Sequence, residues 1–310
     1  MAHVTLVGGT AYNITGGKSM VDGTGYSIQG GKTLVGGTGY DIKFLPDVST
    51  VLNDNDWTTI SEISQSGQAV NYWSVGDTKE IVINGAVGDT IFNNLNVWAF
   101  ILGFNHNSFI EGKKTIHFQI GKNAQIGGTN LCLIGSSYNV YSYASGKFHM
   151  NASGDTAGGW ESSDMRVLLL GSPDSPTNPV SGSLLAALPN DLRMVMRRTT
   201  KYTDNVGGAN SNEESITFTE DCLWLLSEYE FGGSSSLSNY NEEEYQEQYQ
   251  YYYNGNSRVF YRYNDTSSAA IWFLRSPCRS YYQFCSVNAS GGIYRTSSNG
   301  CMGVAPAFCV

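Results

Sequence analysis

Three copies of one short unit open the chain, and they constrain its first segment more tightly than anything else in the sequence. TLVGGTAYNITGGK, SMVDGTGYSIQGGK and TLVGGTGYDIKF align with a period of 14, so that Tyr12, Tyr26 and Tyr40 coincide, as do Ile14, Ile28 and Ile42. Runs of four to six residues within each copy are separated by Gly-Gly or Asp-Gly. Those dipeptides accept the positive φ that tight hairpin turns require, so each unit reads as two short strands with two turns. Such a unit has a Tyr/Ile face that only stacked neighbours cover, and three copies barely make a core. The missing burial is expected from other chains, which makes residues 1–45 an oligomerisation or attachment module.

Pro46 marks a change of texture, and residues 46–310 read as one larger domain. Only 15 % of the 310 residues are charged, while Gly (36) and Tyr (20) are abundant, which favours β-structure and ordered loops over helix bundles. Helices still have signals, so the expected class is α+β. Asp56 is placed to cap a helix through about Ser66, with Trp57, Ile60 and Ile63 on one face and Gly67 ending it. From Lys114 to Ile120, apolar and polar residues alternate, which predicts a strand with His117 on its polar side. A short helix is expected between Gly158 and Ser172, and helix interrupted at Pro189 between Leu184 and Arg198. Residues 199–219 read as an exposed loop, and Leu223 to Leu226 as an apolar strand. NEEEYQEQYQYYYNGN reads as a helix capped by Asn241, with Tyr245, Tyr249 and Tyr252 on one face.

Several function classes are excluded at this level. A net charge of −9 with pI near 4.9 repels phosphate backbones, so no nucleic-acid partner is expected. No apolar run approaches the roughly 18 residues of a membrane span, and the N-terminus lacks the pattern of a secretory signal, so no membrane insertion is expected. The six cysteines form no CxxC pair; reduced, partly buried thiols are the default expectation, and disulfide pairing among the last four is the secondary one. GGKS and GGKT lack the glycine five residues before Gly-Lys that a phosphate-binding loop needs, since Tyr12 and Tyr26 stand there. GxSxG and HExxH are missing, the four histidines are scattered, and His106 reads as a structural hydrogen-bonder. Asn53 to Asp56 lacks the glutamate of a calcium loop. The expectation is therefore no catalytic residue, no metal and no cofactor.

The C-terminal stretch is of a different kind. Two scaffold-like pieces, IWFLRSP (271–277) and GVAPAFCV (303–310), bracket 25 residues rich in Ser, Tyr, Asn, Arg, Gly and Cys. Within them only Phe284, Val287 and Ile293 read as anchors. This is the composition of antibody-like binding loops, where Tyr and Arg give contact area and Ser, Gly and Asn adapt. An ordinary polar loop has the same composition, so composition alone leaves both readings open.

The ordered set WTTISEISQSGQAVNYWSVGDTK (57–79), ILGFNHN, GGWESSDMR, LWLLSEYEFGG (223–233), FLRSP and GVAPAF resembles a family from gut bacteria and their phages. The resemblance covers about residues 50–310. It implies a C-type-lectin-like fold of the formylglycine-generating-enzyme type, preceded here by the all-β glycine-rich repeat. Many members resemble variable proteins of diversity-generating retroelements, in which adenine-directed mutagenesis rewrites a C-terminal window that ends in a GVxPAF-like sequence. By that resemblance Trp272, Leu274, Arg275, Phe284, Val287, Gly303, Pro306 and Phe308 are scaffold. The window 278–302 then displays Arg279, Ser280, Tyr281, Tyr282, Ser286, Asn288, Tyr294, Arg295, Ser297 and Asn299 for ligand binding. The implied protein is a phage receptor-binding protein of the virion tail, assembled in the host cytoplasm. It would be a homotrimer that binds a host cell-surface protein or glycan and docks to other tail proteins. EPN, QPD and WND calcium-sugar motifs are missing, and Cys278 and Cys285 do not match the catalytic pair of formylglycine-generating enzymes. Two alternatives remain at this stage: a bacterial surface or effector binder of the same fold, and an oxidase of the formylglycine-generating type.

Overall fold

The computed structural model describes residues 48–144, 147–209 and 211–310, together with the backbone of six strands in the first 43 residues. Two compact units result, Met1–Thr50 and Val51–Val310. In the first, β1 (Val4–Val7) pairs with β2 (Thr10–Asn13), β3 (Gly17–Val21) with β4 (Thr24–Ile28), and β5 (Gly30–Val35) with β6 (Thr38–Lys43). Each pair is an antiparallel hairpin and its own two-stranded sheet. The register repeats along with the sequence: Tyr12 stands opposite Thr5, Tyr26 opposite Ser19 and Tyr40 opposite Thr33. Ile14 and the side-chain faces of this unit lie outside the described residues.

In the second unit, α1 (Trp57–Ser66) precedes an antiparallel meander of β7 (Thr78–Val87), β8 (Thr90–Phe104) and β9 (Ile116–Lys122). After β10 (Leu131–Cys132) come the single-turn helices α2 (Leu184–Ala187) and α3 (Asn190–Arg193), then the hairpin β11 (Thr199–Asp204) and β12 (Ile216–Asp221). Helices α4 (Glu228–Gly232) and α5 (Gln250–Tyr253) lead to β13 (Tyr261–Arg262) and β14 (Asp265–Ala269). The chain ends on β15 (Trp272–Pro277), β16 (Gln283–Val287), β17 (Ile293–Ser297) and β18 (Ala307–Cys309). Short helices and mostly antiparallel sheets make this an α+β fold. Among the described residues, no helix is long and apolar enough to cross a membrane.

The capping logic of α1 is met in detail. The Thr59 N–H donates to Asp56 at 2.7 Å, Gly67 ends the helix at φ 78°, and Trp57, Ile60 and Ile63 are buried. That face meets the C-terminal strand. Phe308 of β18 stacks on Phe118 of β9 at 5.2 Å, and the Trp57 ring stands edge-on to both. β18 ties distant segments together: Ala307 pairs with Gln119 and bridges to Trp224, while Cys309 pairs with His117 and bridges to Arg197. Gly303, just upstream, cannot carry a side chain, because a Cβ there would collide with the Cys132 sulfur. The GVAPAF segment is therefore buried scaffold, as are Trp272, Leu274, Arg275, Phe284 and Val287.

Four sequence expectations need correction. Residues 199–219 form most of the β11–β12 hairpin, with Lys201, Thr203 and Asp204 buried, because their dense β-branched residues pair strand to strand. His117 does not face solvent: every residue from 116 to 121 is buried, and the polar side of β9 faces tyrosines. Leu223 to Leu226 is buried without forming a strand; only Trp224 bridges, to Ala307. The tyrosine-rich segment is no continuous helix. It forms a 3-10 turn over Tyr240–Tyr245, capped by Asn239, and then α5, with extended backbone between them. Gln246 holds the break open by accepting from the Ser227 hydroxyl and donating to the Tyr202 carbonyl.

Candidate binding surface

β15, β16 and β17 form one antiparallel sheet, and the residues expected to be displayed lie on its edge strand and at both ends of β16. One end is the connection between β15 and β16, where Arg279, Tyr281 and Tyr282 are exposed, the tyrosines by 63 % and 51 %. Ser297 and Asn299 are half-buried beside it, since the Ser298 N–H donates to the Tyr282 carbonyl at 2.9 Å. The other end is the turn 288–292. There the Asn288 side chain accepts from the Ser290 and Gly292 N–H groups, and so shapes the hairpin. Tyr294 and Arg295 are exposed on β17 between the two ends. Five strand residues at about 3.3 Å each separate the ends by roughly 15 Å.

One expected display residue is misplaced. Ser286, next to last in β16, is fully buried, and its hydroxyl bonds the Thr296 hydroxyl at 2.9 Å. β16 is the central strand and is buried on both faces from Phe284 to Val287, so alternation along it offers no display position, although Tyr294 opposite Ser286 on the edge strand is exposed. Ser280 is half-buried and bonds Gln283.

The exposed loop sits on a rigid polar base. The Thr156 N–H and hydroxyl both donate to the Tyr281 carbonyl, at 3.1 and 3.0 Å. On the other side, the Arg279 N–H donates to the Leu237 carbonyl and its guanidinium to the Ser236 carbonyl. Residues 236–238 are themselves held by Glu228, a fully buried carboxylate that accepts from the N–H groups of Ser236, Leu237 and Ser238. The Glu228 N–H donates in turn to Ser276, whose hydroxyl donates to Glu242. Burial pushes the Glu242 carboxyl up to about 7. Sequence reading placed Glu242 only at the positive end of the expected helix and gave neither it nor Glu228 a buried role, because acid-rich runs usually face solvent. The available signal for Glu228 and Glu230 was Ser227, which forms a capping box with Glu230.

A second buried polar cluster lies beneath β9 and β11. Lys201 donates to Glu111 at 2.8 Å, Glu230 at 3.0 Å and the Tyr249 hydroxyl at 3.0 Å, and Arg275 also pairs with Glu230. Burial works to raise Glu230, but Arg275 and Lys201 hold its carboxyl well below the usual range. His106 stacks on Tyr249 with ring centroids 3.7 Å apart. Burial, reinforced by Lys201, drives His106 down to about 3 and keeps His117 well below its ordinary value, so both rings are neutral near pH 7. His106, Glu111 and Glu230 present ligand atoms within 4.8 Å of one another, the spacing of a metal site. However, Arg275 and Lys201 already neutralise Glu230, and burial pushes the Glu111 carboxyl up to about 8, so a dication would add unneutralised charge to a buried site. The cluster does structural work: it joins β9, β11, α4, α5 and β15 under the sheet.

Comparison with curated proteins and with solved structures yields no match. Residues 133–310 carry the whole β15–β17 surface together with Glu228, Glu242 and β18. They match the family model described as Domain of unknown function (DUF6273), and the chain belongs to that family.

Proposed function

We propose that the chain is a phage receptor-binding protein that acts by adhesion and not by catalysis. In this reading a C-type-lectin-like domain displays a hypervariable surface, and the window 278–302 carries specificity for a host cell-surface protein or glycan. One observation carries the proposal: Arg279, Tyr281, Tyr282, Tyr294 and Arg295 project into solvent from a three-stranded sheet whose flanking segments, 272–278 and 300–310, are wholly buried. Large exposed aromatics on a rigid base are what a recognition surface needs, and Tyr and Arg are the commonest binding hot spots. The repeat module would join three chains and attach them to the virion tail, so that avidity multiplies weak single-site binding by roughly 10²–10⁴.

The test replaces residues 278–302 by the matching window of a relative and measures adsorption to a panel of host strains. Host preference is expected to move with the window while the oligomer and melting temperature persist. Preference that stays with residues 1–277 would overturn the reading.

A further inference from the structure

Six cysteines are buried among the described residues, and two of them face each other at the root of the exposed loop. The sulfurs of Cys278 and Cys285 are 3.2 Å apart. Cys278 directly follows β15, and Cys285 lies in the middle of β16, so the two enclose Arg279, Ser280, Tyr281 and Tyr282. A disulfide bond spans about 2.05 Å between sulfurs. Closing the gap therefore needs about 1 Å of movement, within the reach of two side-chain rotations. Cys285 donates to the Glu228 carboxylate at 3.6 Å, and burial pushes its thiol well above the ordinary value. The Cys285 thiol therefore keeps its proton near pH 7, attacks slowly, and joins in the second, intramolecular step.

We propose that Cys278 and Cys285 form a disulfide under oxidising conditions and that this bond fixes the two ends of the 279–284 loop. With glutathione disulfide as the oxidant, the Cys278 sulfur attacks one glutathione sulfur, the glutathione S–S bond breaks, and the first glutathione leaves with the Cys278 proton. The Cys285 sulfur then attacks the Cys278 sulfur of the mixed disulfide, and the second glutathione leaves with the Cys285 proton. Two protein thiols are oxidised and one glutathione disulfide is reduced to two thiols. Cys278 reacts first because it adjoins exposed Arg279, whereas Cys285 has no exposed neighbour on its strand. Any consequence for ligand binding rests on the reading of 278–302 as a display window; the bond itself does not.

The full-length protein is incubated with glutathione disulfide, both folded and during refolding from urea. It is then alkylated under denaturing conditions and mapped by mass spectrometry. A peptide pair linked through 278 and 285 is expected as the predominant crosslink, with the other four cysteines alkylated. Oxidation should raise the melting temperature by roughly 5 °C, as a short closed loop does, and Cys285→Ser should show neither the link nor the rise. The proposal is overturned if both thiols stay free or glutathionylated after refolding, if another pairing predominates, or if the link forms without any rise in melting temperature. None of these outcomes depends on host adsorption, so failure here is separable from failure of the window swap.

Discussion

Lys201 shows how much rests on a single side chain in this interior. It sits between two buried carboxylates and a tyrosine hydroxyl, with 1 % of its surface exposed. Lys201→Met should therefore destabilise the domain by about 3–5 kcal/mol in urea unfolding, because one partner of a buried ionic network is lost. A surface lysine would cost almost nothing. His106 gives a pH signature of the same cluster. Its folded value lies near 3, below the ordinary 6.5, so its contribution is fully present above pH 6.5 and fades as pH falls toward 3. Between pH 7 and 4.5 the loss from this one ring should be about 2–3 kcal/mol. His106→Phe keeps the stacking on Tyr249 but has no proton to gain, so its melting temperature should fall less over that window than the parent's. An identical fall in both proteins would show that the ring does not titrate as the site requires. Buried and exposed aromatics differ in the same way: Trp272→Ala in the core should cost about 3–5 kcal/mol, while Tyr281→Ser at the surface should stay within about 0.5 kcal/mol.

At the scale of elements, β16 and β17 decide which positions of the window can vary. Tyr294 and Arg295 point outward from the edge strand, whereas Ser286 and Thr296 bond each other inside. Tyr294→Ser should leave melting nearly unchanged, but Ser286→Tyr forces a large ring into a packed layer and should cost about 1–3 kcal/mol or more. Equal tolerance at both positions would mean that β16 is not the central strand. The tyrosine-rich segment carries the same lesson. Its helical spacing suits one continuous helix, yet Gln246 bonds to Ser227 and Tyr202, which draws the middle into extended backbone. Tyr249 and Tyr252 then reach the polar side of β9, bonding His117 at 3.0 Å and Gln119 at 2.6 Å.

For the whole molecule, the testable quantity is assembly. Three two-stranded hairpins are too small to be stable alone, since isolated hairpins are marginal in water. Light scattering of the full chain should give a mass near three chains, and residues 51–310 alone should be monomeric and folded. A monomeric full chain at micromolar concentration, with its first 44 residues folded, would contradict the attachment role. The second unit needs no such help: its C-terminal strand closes on β9 and reaches Trp224 and Arg197, so one segment holds the start, middle and end of the domain together.

What the sequence determined by itself was whatever local chemistry dictates. The Gly-Gly and Asp-Gly spacing set the hairpins, Asp56 and Gly67 bounded α1, and the apolar pieces 271–277 and 303–310 marked buried scaffold on either side of 278–302. Those signals work because a turn, a cap or an apolar run acts through neighbours within a few residues. Tertiary structure alone decided the rest. Polar residues on β9 and in the segment from 199 to 219 look solvent-facing in sequence, since burying them is costly without partners. The partners come from far along the chain: Lys201 meets Glu111 and Glu230, and Ser286 meets Thr296 only because β17 folds back beside it. Burial of a charge is a property of the pair, and only the fold brings the pair together.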